Sequence, residues 1–196
     1  ITNFVLLECG QPLHAFDLEK IKGGQVIIRQ AQPDEPFTAI DHSEYKLQPG
    51  MCVIADQSRV IALGGVMGGA ESEVSSSTTS LLIESARFDP LSIRNTARAT
   101  NLHSLSSHRF ERGVDPVGIE WASRRCCEMI LEIAGGELAE GIIDVGEAVT
   151  EPAAIVLRLS QLKRILGIEV EREEVERILN ALGNRTTDGG DGQLEV

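Results

Sequence analysis

Ile61-Ala62-Leu63-Gly64-Gly65-Val66-Met67-Gly68-Gly69 is the stretch on which the reading of the chain turns. Its first half is apolar and branched, the composition of a buried strand. It then breaks into two Gly-Gly pairs around Val66-Met67. Glycine reaches backbone conformations with φ > 0 and lets a ligand or another segment come close to the main chain. A strand running into such a loop makes the floor of a pocket, with N–H groups free to donate. A tight turn is the plainer alternative. The loop is not a phosphate loop, because the Lys-Ser/Thr ending is missing. It is not a dinucleotide fingerprint either, because the Gly-x-Gly-x-x-Gly spacing is missing.

Working outward, a polar run over 75–80 leads into Leu81-Leu82-Ile83, a second apolar strand that ends on Glu84. An acid beside a buried strand and a glycine floor is a candidate binding group. A strand-end carboxylate paired with Arg87 is the alternative. Upstream, 1–7 suits a strand or a short buried helix. The segment 11–17 follows Gly10 and is predicted to be a turn leading into a short helix around 17–21. Strands are predicted at 26–29, 52–56 and 60–63, with a hairpin of 38–41 and 44–47. Short strands at this spacing predict a small β-barrel or sandwich.

Downstream, Asp89-Pro90 carries a helix-start signal, and the helix is predicted to run to about Ala99. The polar stretch 101–107 reads as irregular. A helix over 117–134 has apolar positions at Ile119, Ala122, Cys126, Ile130 and Ile133 and stops at Gly135-Gly136. A closing strand is expected at 142–145. Beyond a linker rich in Glu, Thr and Pro come a strand at 155–159, a helix 161–166 capped by Ser160, a helix 173–182, and a strand beginning at Leu194. The class expected is α+β: barrel or sandwich layers with covering helices, then an incomplete helix-turn-helix-like segment.

The chain has 196 residues and a net charge of −12. A chain of this size buries about 70 % of its unfolded surface. Aromatics make up only 4 %, so the core is aliphatic. The acidic balance argues against a broad nonspecific grip on nucleic acid and leaves room for a local basic patch. Cys9, Cys52, Cys126 and Cys127 form no Cys-x-x-Cys pair, which points to reduced thiols in a cytosol. No apolar run approaches the ~18 residues of a membrane span. The chain starts without methionine and stops at a new strand, and so reads as part of a longer protein. There is no Gly-x-Ser-x-Gly elbow and no His-Glu-x-x-His pair. His14, between Leu13 and Ala15 and close to Phe16, suits either a pocket imidazole that positions water or a half-buried surface histidine. Arg109, Glu111 and Arg112 suit an anion site or an ion-pair network.

Five motifs carry a family resemblance: Gly10-Gln11-Pro12-Leu13-His14-Ala15-Phe16-Asp17, the 61–69 glycine stretch, Leu82-Ile83-Glu84-Ser85-Ala86, Phe88-Asp89-Pro90, and Arg109-Phe110-Glu111-Arg112-Gly113-Val114-Asp115-Pro116. In this order and spacing they resemble the β-subunit family of bacterial phenylalanyl-tRNA synthetases. The resemblance covers 1–146 as the central B3/B4 domain, with a linker at 147–154. It makes 155–196 similar to the start of the B5 domain.

The resemblance implies a cytoplasmic enzyme part that edits, hydrolysing mischarged tyrosyl-tRNA(Phe). It implies His14 as the catalytic, water-positioning residue. Asn3, Gly65, Gly68, Glu84, Ser104 and Ser106 are implied as substrate-binding, with no metal in this segment. A carboxylate at Glu84 would accept the phenolic proton of tyrosine in a charge-assisted bond. The implied partners are an α subunit, in an α2β2 assembly, and the acceptor end of tRNA(Phe). ATP and Mg2+ would serve the whole enzyme outside this segment, and no membrane is involved. Arg94, Arg98, Arg109, Arg112, Arg124 and Arg125 are the cations expected to meet the acceptor end. Ser104-Leu105-Ser106 departs from the family's common Thr-x-Ala. That departure keeps open an editing-inactive structural or tRNA-docking module as the alternative. A free-standing esterase, a third reading, lacks a nucleophile motif.

Overall fold

The structure is a computed structural model that describes residues 1–146 and 153–196. Its internal contacts divide it into two units, Ile1–Val145 and Gly146–Val196. The first unit runs α1 (Thr2–Cys9), β1 (Leu13–Asp17), β2 (Ile27–Gln30), β3 (Glu35–Thr38), β4 (Glu44–Leu47), β5 (Cys52–Ala55), β6 (Val60–Leu63), β7 (Met67–Gly68), β8 (Leu81–Ser85), α2 (Pro90–Thr100), α3 (Leu105–Phe110) and α4 (Gly118–Ala134). The class is α+β, and its strands form several small sheets. β2-β5-β6-β7 is an antiparallel sheet, β3-β4 is a hairpin, and β1 pairs antiparallel with β8. Single bridges from Phe16 to Glu73 and from Ala39 to Gly69 stitch these pieces together.

The β1–β8 pair is buried on both faces, and its alternation shows how. Residues opposite each other in an antiparallel pair project to the same face. His14, Phe16, Leu82 and Glu84 therefore share one face, in the register His14↔Glu84 and Phe16↔Leu82. Phe16 and Leu82 pack there with Ile21, Ile54, Ile61 and Ala62. Leu13 and Ile83 share the other face and pack on Val5 of α1 and on Ala122 and Cys126 of α4. Ser85 fixes that side by donating from Oγ to the Ile119 carbonyl at 2.8 Å. A third cluster, built on Phe37, Leu47, Val53, Leu63, Val66, Ile93 and Phe110, joins the hairpin, the larger sheet and the helices α2 and α3.

Several expectations change. The segment 13–17 is a strand and not a turn, because Leu81–Ser85 supplies a pairing edge and both of its faces find apolar neighbours. The helix expected around 17–21 shrinks to a 3-10 turn, Leu18–Lys20, where Asp17 accepts from the Glu19 N–H. The stretch 101–107 is not irregular throughout, because α3 begins inside it. Ser104 accepts from the Ser107 N–H while the Ser107 hydroxyl accepts from the Ser104 N–H, so the serines that read as loop are a reciprocal helix cap. The closing strand at 142–145 is absent: Ile143 and Val145 are 92 % and 89 % exposed and pair with no strand among the described residues. The helix from Asp89-Pro90 forms as read, with Asp89 accepting from the Ser92 N–H and Pro90 at the first turn.

The expected linker, 147–154, falls over 147–152 outside the described residues. The second unit contains β9 (Val156–Arg158), α5 (Ser160–Leu166), α6 (Arg172–Ala181), β10 (Thr187–Gly190) and β11 (Gln193–Glu195). Its sheet has the order β10-β11-β9, so the strand expected to begin at Leu194 is the centre of a sheet, with Leu194 fully buried. Ser160 does not cap α5: the N-cap position is Leu159, without a side-chain cap. Among the described residues no helix is long and apolar enough to cross a membrane.

Candidate functional site

The face of β1–β8 that carries His14 and Glu84 opens onto the glycine loop after β6. A cleft of about 60 Å³ forms there, lined by Pro12, His14, Gly65, Gly68, Glu84 and Ser106 among others. Five of the positions singled out in the sequence thus meet in one place: His14, Gly65, Gly68, Glu84 and Ser106. Asn3 does not join them; it is exposed on α1. Ser104 is not among the lining residues. Its hydroxyl donates to the Val66 carbonyl at 2.7 Å, tying the glycine loop to the cap of α3. Ser104→Ala removes both the cap and this tie, so about 1–2 kcal/mol of stability is expected to be lost. Urea unfolding followed at Trp121, the single tryptophan, measures it.

Glu84 is half-buried. Burial pushes its carboxyl up to about 7, and among the described residues no hydrogen-bond donor or cation offsets it. The ion pair with Arg87 does not form among the described residues. An acid desolvated without a partner is costly, and such groups cluster at functional sites. His14 packs edge-on against Phe16 with ring centroids 4.5 Å apart. Burial holds its pKa below the ordinary value, against an upward pull from the Glu73 charge. Its Nε2 is buried and has no hydrogen-bond partner among the described residues. A neutral imidazole with an unused ring nitrogen can hold a water or take a proton from one.

The two glycines act differently. At Gly68 a Cβ would stand 2.5 Å from His14 Cε1, so only glycine lets the imidazole lie on this backbone. Gly68→Ala is therefore expected to displace His14. It should cut any hydrolysis that depends on the imidazole about as deeply as His14→Ala does, with the fold retained by circular dichroism. At Gly65, φ is +68° and a Cβ would meet Ile93 Cδ1 at 2.7 Å and Phe88 Cδ2 at 2.8 Å. Its absent side chain lets the loop press onto the core. The N–H groups of Gly64, Val66 and Gly69 already bond to the carbonyls of Cys52, Leu63 and Ile61. The Gly65 N–H has no such bond among the described residues, and Gly65 lines the cleft.

Met67, Ile54 and Phe110 also line the cleft, and sequence reasoning did not select them. Phe110 was reachable: once α3 is a helix, it lies four positions after Ser106, on the same side. Glu73 was missed too, and only the isolated bridge to Phe16 brings it near His14. Cys52 is no nucleophile, because burial and the charge of Glu84 push its thiol up. Among the described residues no three metal-ligating side chains cluster.

The family model described as the B3/4 domain matches residues 1–135. The chain is 50 % identical over 192 residues to a phenylalanine–tRNA ligase β subunit from Rhodopirellula baltica, covering 98 % of this chain and 28 % of that protein. It is 46 % identical over 183 residues to the one from Salinibacter ruber, covering 93 % and 22 %. It is 43 % identical over 196 residues to the one from Moorella thermoacetica, covering 100 % and 24 %. The chain spans about a quarter of the length of these curated relatives. A solved N-terminal fragment of the β subunit from Pyrococcus horikoshii aligns over 99 % of this chain and 57 % of that one, at 13 % identity and a TM-score of 0.39, too distant to inform the geometry.

Proposed function

The chain belongs to the B3/4 domain family, in the form found in phenylalanine–tRNA ligase β subunits, and from that premise we propose that its cleft hydrolyses tyrosine mistakenly esterified to tRNA(Phe). The observation that carries this reading is Glu84: a half-buried carboxyl without a partner among the described residues, directly opposite His14 on one sheet face and beside the glycine loop. Tyrosine differs from phenylalanine by one hydroxyl. A carboxylate that accepts the phenolic proton gains a charge-assisted bond, while phenylalanine leaves it desolvated and alone.

The reaction needs no covalent nucleophile. His14 takes a proton from a water as the water attacks the ester carbonyl carbon, and the Gly65 N–H donates to the developing oxyanion. The bond to the ribose oxygen then breaks, that oxygen takes the proton back from the His14 imidazolium, and the carboxylic acid of tyrosine gives its own proton to solvent as it leaves. The cleft of about 60 Å³ is smaller than the ~150 Å³ cavity that holds a benzene ring. A phenol ring therefore has to move a wall, and Met67, unbranched and flexible, is the lining side chain best suited to yield. The small cleft also supports the second reading, an editing-inactive structural or tRNA-docking module. The α subunit, the tRNA(Phe) acceptor end, ATP and Mg2+ belong to the proposal for the whole enzyme.

The test is hydrolysis of pre-made tyrosyl-tRNA(Phe) by the whole α/β enzyme carrying this sequence. His14→Ala is expected to lower kcat by about 10²–10⁴, the usual worth of a general base. Phenylalanine aminoacylation is expected to stay unchanged. Hydrolysis that survives His14→Ala at full rate would remove the imidazole from the mechanism. No hydrolysis by the unmutated enzyme would leave the docking module.

A further inference from the structure

Two acids face His14 from opposite edges of β1. Glu84 stands across β8, in the register His14↔Glu84. On the other edge, Phe16 bridges to Glu73. Partners in an antiparallel bridge project to one face, and His14 lies two residues from Phe16 on that same face. Glu73 is therefore diagonal to His14, a backbone separation of roughly 7–8 Å that a long side chain spans. The segment that carries Glu73 is tied at several points. Ser72 is fully buried, and its Oγ donates to the Ile61 carbonyl at 3.0 Å, which fixes the Ala70–Ser72 turn to β6. The Lys20 ammonium donates to the Glu73 carbonyl at 2.7 Å. Five residues before Glu73, Gly68 makes room for the imidazole. One connected segment thus shapes the seat of His14 and brings a carboxylate to it.

The two acids differ in what they offer the imidazole. Glu84, pushed up to about 7, carries a proton over much of the range in which an imidazole titrates, and then lends His14 little charge. Glu73 is the acid whose charge pulls the His14 pKa upward, against burial. Glu73 is half-buried, and among the described residues no cation lies within ion-pair distance of its carboxylate. The Lys20 ammonium pairs with Asp17 instead, at 3.7 Å. Cys52, from β5, stays a thiol, because burial and the charge of Glu84 push it up. From α3, His108 and Arg109 are exposed, and neither lines the cleft.

We infer that Glu73 is a positioning residue that acts through His14: its carboxylate stabilises the imidazolium formed when His14 takes a proton from the attacking water. This rests on the reading of His14 as the base. It divides the two acids of the face between recognition of the substrate, for Glu84, and support of the base, for Glu73. An anion beside a base that becomes cationic favours the proton transfer. An acid that stays protonated near neutral pH cannot give that support, so a site with Glu84 alone would leave the imidazolium desolvated and uncompensated.

The first readout is the His14 imidazole C–H resonance of the 196-residue chain, followed against pH by NMR and identified by its loss in His14→Ala. The series is run in the Glu84→Gln background, so that Glu73 is the acid left on this face. E73Q is expected to shift the His14 midpoint to lower pH. E73D, which keeps the charge, is expected to restore it. E71Q, which removes an acid two residues away that is paired with Arg59, is expected to leave it in place. The second readout is deacylation of pre-made tyrosyl-tRNA(Phe) by the whole α/β enzyme with Glu84 present. E73Q is expected to lower kcat by about three- to tenfold with KM unchanged, the size of one charge at this separation. The inference is overturned if E73Q leaves the midpoint in place, if E71Q moves it as far, or if E73Q keeps full kcat where His14→Ala loses it. A midpoint that moves with E73Q, in an enzyme whose hydrolysis survives His14→Ala, would instead count against the proposed chemistry alone.

Discussion

Glu84→Gln is expected to make the first unit about 3 kcal/mol harder to unfold near pH 8, and to change it by less than about 1 kcal/mol near pH 5. The sign follows from the direction of the shift. Burial raises the folded carboxyl from 4.5 to about 7. Between those values the folded protein keeps a proton that the unfolded chain has lost, so stability falls as pH rises from 4.5 towards 7. Above that window the full cost is present, roughly 1.4 kcal/mol for each unit of the shift. Glutamine has nearly the same shape and never ionises, so it escapes the cost at high pH and gains little at low pH. Urea unfolding followed at Trp121, which lies on α4 in the first unit, reads this at the two pH values. An equal effect at both would mean that the Glu84 carboxyl is not held desolvated by the fold.

The result bears on function because the missing partner is what a substrate would supply. A side chain kept unpaired in the resting protein costs stability, and on the proposed reading a tyrosine hydroxyl would return part of that energy on binding while phenylalanine would return none.

The parts of the fold legible in the sequence were those set by local chemistry. The glycine stretch, the Asp89-Pro90 helix start and the glycine stop of α4 depend on near neighbours in the chain, and each forms where its residues stand. Leu13–Asp17 looks like a turn in the sequence because its partner strand lies far away at Leu81–Ser85, and a Pro-Leu-His sequence gives no local sign of that pairing. Ile142 to Val145 failed in the opposite way, since an apolar run makes a strand only where an edge awaits it. For the site, glycines and a strand-end acid were visible, but the register that sets His14 opposite Glu84 was not. Ser104, which the resemblance implies as substrate-binding, bonds to Val66 and Ser107 and so braces the loop, a role that no local pattern in the sequence announces.

The most direct measurement compares two substrates and two enzymes. Pre-made tyrosyl-tRNA and phenylalanyl-tRNA are deacylated by the whole α/β enzyme carrying this sequence and by its Glu84→Ala variant. A site that binds a substrate hydroxyl rejects the analogue lacking it by about 10⁴–10⁵. The unmutated enzyme is expected to approach that preference for the tyrosyl ester. Glu84→Ala is expected to bring the ratio close to one, chiefly by losing tyrosyl hydrolysis, since phenylalanine never engaged the carboxylate. A preference for the tyrosyl ester that survives Glu84→Ala undiminished would contradict the account and place recognition of the hydroxyl elsewhere in the enzyme.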